Sequence, residues 1–276
     1  RGMKLGLVQM SVTDVPEHNL SEAVRLTREM AQQGADLVLL PEMFLCPYEN
    51  SWFRRCAQPE RGRIFQTLGE AAAGAGVYLA AGSFPEEDRE GRLYNTGYVF
   101  DRQGRELARH RKMHLFDIQV EGGQCFRESD TFSPGDTYTV FDTEFGRMGL
   151  CICFDIRFPE LFSLMVQAGA RLVLVPAAFN RTTGPAHWDL VFRQRAVDGQ
   201  CFTAGAAPAR DPAAAYVSYG HSLVVSPWGE VIRRFGTGEQ AEVVELDLRQ
   251  TDAVRKQLPL LSARRTDLYE TRWKKD

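Results

Sequence analysis

Two eight-residue stretches of this chain are near copies of each other, and they restrict its architecture more than any other feature. Gly34-Ala35-Asp36-Leu37-Val38-Leu39-Leu40-Pro41 and Gly169-Ala170-Arg171-Leu172-Val173-Leu174-Val175-Pro176 agree at six of eight positions, and each follows a segment of helical periodicity. A run of Leu and Val with no polar alternation is what a strand covered on both faces requires. The glycine suits the end of the preceding helix and the proline ends the strand. Two related α/β halves account for the echo. So does convergence of helix-to-strand junctions on glycine and branched apolar residues, and both readings predict a mixed α/β sandwich rather than a barrel.

The rest of the pattern agrees. Met3 to Met10 reads as a buried strand, and Leu20, Ala23, Val24, Thr27, Met30 and Ala31 follow helical spacing, with Asn19 and Glu22 as a cap pair. Further helices are expected from Gly62 to Ala75, from Pro159 along the face of Leu161, Leu164, Met165 and Ala168, and from His187 to Asp198. Strands are expected over 77–84, 94–100, 147–153, 171–176, 201–206, 222–226, 230–235 and 241–247. The turn Asp101-Arg102-Gln103-Gly104 sends a hairpin partner back towards Arg111 and Lys112. Residues 117–134 show mixed polarity and no period, which marks a functional loop. No linker-like composition interrupts the chain, so one domain over 1–276 is expected, with Arg1 and Gly2 ahead of Met3 read as a remnant of expression.

Charge and cysteine usage narrow the function. The net charge is −3 with Lys and Arg scattered, so a nucleic acid or an anionic membrane is not the expected partner and a small molecule is. Apolar runs fall far short of the ~20 residues that span a bilayer, and the N-terminus lacks a signal-peptide profile, so a cytoplasmic protein is expected. Cys46, Cys56, Cys125, Cys151, Cys153 and Cys201 form no C-x-x-C pair, and the five histidines are dispersed. Reduced thiols are therefore expected, with no metal and no cofactor.

Three residues carry the chemistry. Cys153 lies where a core strand turns towards the helix at Pro159, a setting in which the Phe154 N–H and nearby cations can favour nucleophilic attack. Glu42 follows the strand-ending Pro41, where apolar walls would raise its pKa into the range of a general base. Lys112 belongs to the basic cluster Arg109-His110-Arg111-Lys112. Taken singly, each has an ordinary alternative: a small buried hydrophobe, a solvated acid, a solvated basic face.

Their combination settles the matter. Leu39-Leu40-Pro41-Glu42, then Arg111-Lys112-Met113-His114-Leu115-Phe116, then Gly149-Leu150-Cys151-Ile152-Cys153-Phe154-Asp155-Ile156-Arg157-Phe158-Pro159-Glu160 resembles the Glu-Lys-Cys signature of the nitrilase-like carbon–nitrogen hydrolases. Phe179 to Trp188, Arg195-Ala196-Val197-Asp198, Pro208-Ala209-Arg210-Asp211, Gly220-His221-Ser222, Pro227-Trp228-Gly229 and Arg264 to Tyr269 are similar to the omega-amidase branch. The deaminated-glutathione amidase branch is its nearest competitor.

The resemblance implies a four-layer αββα sandwich, a homodimer or larger assembly, and hydrolysis of the terminal amide of alpha-ketoglutaramate or alpha-ketosuccinamate. It implies Cys153 as nucleophile, Glu42 as general base, and Lys112 with the Phe154 N–H as oxyanion donors. Glu128 matches the family's second active-site glutamate. Arg157 and Arg181 are expected to meet a substrate carboxylate, with Phe116, Phe179 and Thr182 completing the substrate-binding set. Two other readings stay open on the residues alone: a Cys–His hydrolase pairing Cys153 with His114, His187 or His221, and a non-catalytic redox or partner-binding module using Cys151 and Cys153.

Overall fold

The structure is a computed structural model and describes residues 2–275. Its first half runs β1 (Met3–Gln9), α1 (Pro16–Gln32), β2 (Leu37–Leu39), α2 (Asn50–Cys56), β3 (Gln58–Pro59), α3 (Arg63–Ala75), β4 (Tyr78–Ala80), β5 (Phe84–Glu87), β6 (Leu93–Phe100) and β7 (Glu106–Arg111). A small hairpin follows, β8 (Asp117–Gln119) with β9 (Cys125–Arg127). The second half runs β10 (Thr139–Thr143), β11 (Gly146–Leu150), α4 (Pro159–Gln167), β12 (Leu172–Pro176), α5 (Gly184–Gly199), β13 (Phe202–Ala206), β14 (Leu223–Val225), β15 (Val231–Arg234), β16 (Gln240–Leu246) and α6 (Gln250–Gln257).

β16 crosses back to pair antiparallel with β1, giving one sheet in the order β16-β1-β2-β4-β6-β5-β3 with β7 also on β6. The other sheet is ordered β10-β11-β12-β13-β14-β15. Each is centred on three parallel strands, β1-β2-β4 and β11-β12-β13. The repeated apolar run forms the middle strand of each trio. Its side chains alternate between two cores. Leu37, Leu39, Leu172 and Leu174 meet in a single cluster between the sheets. Val38 and Leu40 pack with Ala23, Met30 and Leu68 beneath α1 and α3, and Val173 and Val175 pack with Met165, Trp188 and Phe192 beneath α4 and α5. The layers are therefore αββα, as the family resemblance implies.

The correspondence of the halves extends beyond the echo. Gly6 of β1 sits in register with Val38, and Gly149 of β11 with Val173. A Cβ on Gly6 would lie 2.8 Å from the Met30 Cβ, and one on Gly149 2.9 Å from the Met165 sulfur. Met30 and Met165 each stand one helical turn before Gly34 and Gly169. The same small-residue contact thus lets α1 and α4 close onto their sheets, which favours two related halves over convergence.

Several elements differ from the sequence reading. α1 begins at Pro16 after Val15, so Asn19 is not a cap. Its buried amide instead accepts from Thr13 N (2.8 Å) and donates to Leu45 O (2.8 Å), tying the helix to the segment after β2. The strand expected over 77–84 breaks at Gly82, whose φ of 56° turns the chain between β4 and β5. Residues 117–134 contain β8, β9 and a short turn over Glu128–Asp130. α5 starts at Gly184 rather than His187, and α2, α6, β3 and β10 are additional.

Candidate active site

The candidate residues sit beyond the C-terminal ends of strands, where open parallel sheets present their ligand sites. Glu42 follows β2, held by Met43 N donating to Ser83 Oγ (3.0 Å). Lys112 follows β7, its N–H donating to Asn95 O (2.9 Å) on β6. Cys153 lies past the end of β11, as the first residue of a tight helical turn over Cys153–Arg157 and not within the strand predicted for it.

Lys112 is the centre. Its Nζ is 2.9 Å from Glu42 Oε2, 2.8 Å from Glu128 Oε1 and 3.3 Å from Tyr48 OH, and all three acidic or basic side chains are fully buried. Asn95 Nδ2 donates to Glu42 Oε2 and to Glu128 Oε2, both at 2.9 Å, bracing the two carboxylates around the amine. Phe116 N donates to Glu128 Oε1 (2.7 Å). Burial alone would discharge the amine, but the charges of Glu128 and Glu42 outweigh it and hold Lys112 as an ammonium above the ordinary lysine range. Burial pushes Glu42 above the usual carboxylate range; Lys112 opposes that shift and Glu128 adds to it. Glu42 Oε1 has no hydrogen-bond partner among the described residues. One oxygen of a strengthened base is therefore left free.

Cys153 is beside that carboxyl. Burial, then the charge of Glu42, pushes its thiol well above the usual cysteine range. The Ala178 N–H, just past β12, donates to Sγ at 3.4 Å. Cys153 has φ 47°, a left-handed conformation that costs an L-residue about 1–3 kcal/mol and persists where the surroundings enforce it. Asp155 does the enforcing. One of its oxygens accepts from Ile152 N (3.0 Å) and bonds His110 Nε2 (2.9 Å); the other accepts from His114 N (2.9 Å) and bonds His114 Nδ1 (2.8 Å). The turn that carries Cys153 is thereby locked to the segment that carries Lys112. The same turn leaves the Phe154 N–H with no acceptor among the described residues.

The histidines are occupied elsewhere. His114 is held by Asp155 and stacks on Phe158, His187 contacts Arg157, and His221 Nδ1 is 2.8 Å from Phe235 O. Among the described residues none of the three bonds Cys153.

Of the expected substrate-binding residues, Arg157 is half-buried, lies over the Phe179 ring (4.8 Å) and contacts His187 Nδ1 (3.2 Å), and its Nε has no acceptor. Burial lowers its pKa, and the nearby Cys153 and Tyr216 act against that. Glu160 is not its partner among the described ion pairs. Phe116 is buried against Phe154, Phe126 and Tyr216. Arg181 and Thr182 are exposed, Thr182 donating its N–H to Asn180 Oδ1 (2.8 Å). The structure does not gather these two with the others. Tyr48, Asn95, Tyr216 and Asp155 are site residues to which sequence reasoning gave no role. A polar Asn-Thr pair inside a strand of mostly apolar residues was the one signal available for Asn95. No cluster of three metal-ligating side chains occurs among the described residues.

Fold and site together define a hydrolase of carbon–nitrogen bonds: the carbon-nitrogen hydrolase family model matches residues 4–256, and the chain belongs to that family. It is 48% identical over 272 residues to the omega-amidase NIT2 of Bos taurus, covering 99% of this chain and 98% of that protein. Omega-amidase NIT2 of Homo sapiens is 47% identical over 272 residues, with the same coverage of 99% and 98%. Among solved structures, Saccharomyces cerevisiae Nit3, of branch 10 of the nitrilase superfamily, superposes with a TM-score of 0.88 at 36% identity, covering 96% of this chain and 97% of that one. The amidase of Nesterenkonia sp. AN1 matches with a TM-score of 0.76 at 26% identity, covering 96% and 95%, and one of its structures carries the acetamide moiety of fluoroacetamide covalently added at its active-site cysteine.

Proposed function

We propose that the protein hydrolyses the terminal amide of a small carboxylate-bearing 2-oxo monoamide, alpha-ketoglutaramate or alpha-ketosuccinamate, to the acid and ammonia through a thioester on Cys153. The observation that carries this reading is the convergence of Glu42, Glu128 and a charged Lys112 in one buried cluster, with a free Glu42 oxygen and Cys153 side by side. The name shared by the mammalian relatives supports the substrate class.

Burial and the Glu42 charge keep Cys153 a neutral thiol at rest, so proton transfer to Glu42 accompanies formation of the sulfur–carbon bond. The carbonyl oxygen takes the electron pair and becomes an oxyanion, stabilised by the Lys112 ammonium and the Phe154 N–H. Glu42 then returns the proton to the departing nitrogen, the C–N bond breaks, and ammonia leaves a thioester. A water deprotonated by Glu42 adds to the thioester, and collapse of that second intermediate releases the acid and restores the thiol. Glu128 and Asn95 position Lys112 and Glu42 throughout. Arg157, with no carboxylate partner and near Cys153, suits the substrate carboxylate.

The direct experiment is ammonia release from alpha-ketoglutaramate, alpha-ketosuccinamate, deaminated glutathione, a simple nitrile and an N-carbamoyl amino acid, with C153A as control and mass spectrometry for an acyl adduct on Cys153. Preference for either 2-oxo monoamide supports the reading. A clear preference for deaminated glutathione overturns the substrate class and leaves the chemistry standing; turnover that survives in C153A removes the chemistry.

A further inference from the structure

Arg157, the residue assigned to the substrate carboxylate, is held at both of its ends by one helix. Arg195 on α5 is buried and donates from Nε to Ile156 O (2.8 Å) and from Nη2 to Arg157 O (3.2 Å), which fixes the main chain of Arg157. His187, two turns earlier on α5, meets the side chain: its Nδ1 is 3.2 Å from Arg157 Nη1. A guanidinium carries donors only, so Nδ1 is the acceptor of that bond.

The bond leaves one edge of the guanidinium unused. Arg111, Arg157 and Arg210 each bury an Nε with no acceptor among the described residues. Arg111 gives its Nη2 to Glu60 and Arg210 gives its Nη2 to Tyr219 O, whereas Arg157 is bonded through Nη1 alone. Its whole Nε–Nη2 edge is therefore open. What such an edge takes is visible elsewhere in the molecule: Arg61 grips Glu106 through Nε (2.7 Å) and Nη2 (3.1 Å), and Arg147 grips Asp142 through Nε (2.8 Å) and Nη2 (3.2 Å). Two parallel N–H groups match the two oxygens of a carboxylate.

The direction of that edge follows from burial. His187 is exposed and the Arg157 Nε is buried, so the bonded corner faces outward and the open edge inward. Cys153 and Tyr216, both buried, lie near enough to act on the charge of Arg157. The guanidinium lies over the Phe179 ring at 4.8 Å and the Phe154 ring at 5.7 Å. Rings beneath it limit its tilt and leave it free to turn in its own plane. The bond to His187 is what stops that turning.

We propose that His187 is a specificity-determining residue that acts through Arg157: by taking the Nη1 corner it aims the Nε–Nη2 edge at the carboxylate of the amide substrate. The inference rests on the amidase reading above, and His187 is a positioning residue that touches no reacting atom. Without it the guanidinium must be ordered afresh each time a substrate binds.

The test is a double-mutant cycle of native enzyme, H187L, R157A and the double variant, read as KM and kcat for alpha-ketosuccinamate together with the melting temperature. H187L should raise KM by about 3- to 10-fold, the scale of ordering one flexible side chain, with kcat and melting temperature little changed. H187N, whose side-chain oxygen can stand where Nδ1 stands, should keep most of the native affinity. In the R157A background H187L should change nothing further, because its effect runs through the guanidinium. An unchanged KM in H187L, or a loss that persists in full once Arg157 is absent, overturns the role of His187. If R157A itself leaves KM unaltered, the carboxylate contact is wrong and the positioning role falls with it, while the amidase reading stands. Absence of ammonia release by the native enzyme from this amide and from alpha-ketoglutaramate sinks the substrate reading and the inference together.

Discussion

Lys112 and Glu42 form an ion pair of 2.9 Å in which both side chains are withdrawn from solvent. Such a pair, joined here by Glu128 at 2.8 Å, leaves an excess buried negative charge when the cation is removed. Lys112→Met keeps the volume and deletes the ammonium. Turnover should fall by at least ~100-fold through loss of an oxyanion donor. Unfolding free energy at pH 8 should fall by about 3–5 kcal/mol, and by less at pH 5, because protonation of Glu42, whose pKa burial already raises, partly replaces the cation. Denaturant melts at the two pH values check this, and an unchanged stability at pH 8 contradicts it.

The acid side of the pH–rate profile follows from Glu42. Its pKa is raised, chiefly by burial, and the Glu128 charge adds to the rise. Activity should therefore be lost as pH falls through a midpoint above the ordinary carboxylate range. In Glu128→Gln a neighbouring negative charge disappears, the ionised form of Glu42 is less disfavoured, and that midpoint should move to lower pH even as kcat drops. A midpoint that stays put or rises in E128Q would assign the limb to another group.

Asp155 gives a stability prediction of opposite sign. Burial works against its charge, yet bonds from His110 and His114 win and hold its pKa well below the aspartate range. A depressed native pKa contributes stability that is complete above the unfolded-state value and lost as pH falls through the native one. Asp155→Asn should cost about 3 kcal/mol or more at neutral pH, since two charge-assisted bonds weaken. It should also flatten the fall in stability on acidification and lower kcat, because the turn that presents Cys153 is released. Chemical denaturation at several pH values together with kcat tests both halves of this argument.

Much of this was legible in the chain. Buried parallel strands announce themselves as Leu/Val runs, so β2 and β12 and the positions that follow them could be read locally. Other elements carry no such signal. α6 buries only Thr251 among its residues, so there was no apolar stripe to detect, and β10 is five residues of mixed polarity. Asp155 was visible inside the cysteine motif, yet its role depends on His110 and His114, more than forty residues away, and local pattern has no access to such pairing. Arg181 and Thr182 lie in a segment that resembles the family, but the side of the loop they occupy is decided by Asn180, whose side chain receives the backbone N–H groups of Thr182 and Thr183.

Arg157 separates binding from stability. Its guanidinium has no carboxylate partner among the described residues, so Arg157→Ala should raise KM for a 2-oxo monoamide by at least ~10-fold while changing the melting temperature little. A neutral aliphatic amide should show a much smaller change in KM. A fall in melting temperature with KM unaltered would make Arg157 a packing residue of the Phe154 and Phe179 rings.

The fold and the chemistry meet at Gly82. Its φ is 56°, and a Cβ there would stand 2.1 Å from the Pro41 carbonyl oxygen, far inside contact distance. Neither the conformation nor the space suits a side chain, and Pro41 is covalently joined to Glu42. Gly82→Ala must therefore push the end of β2 away, costing about 1–2 kcal/mol for the left-handed backbone before any clash is counted. Glu42 shares its Oε2 with Lys112, Asn95 and Tyr48, so moving its backbone misaligns all three bonds at once. Displacement of a catalytic group by ~1 Å costs on the order of 100-fold in rate. G82A should accordingly lose kcat more steeply than stability, with KM little altered, because Arg157 hangs from the other half of the sandwich. If kcat in G82A stayed within about threefold of the native value, the tight turn would be a matter of folding alone, and the placement of the base would have to be credited to Lys112 and Asn95.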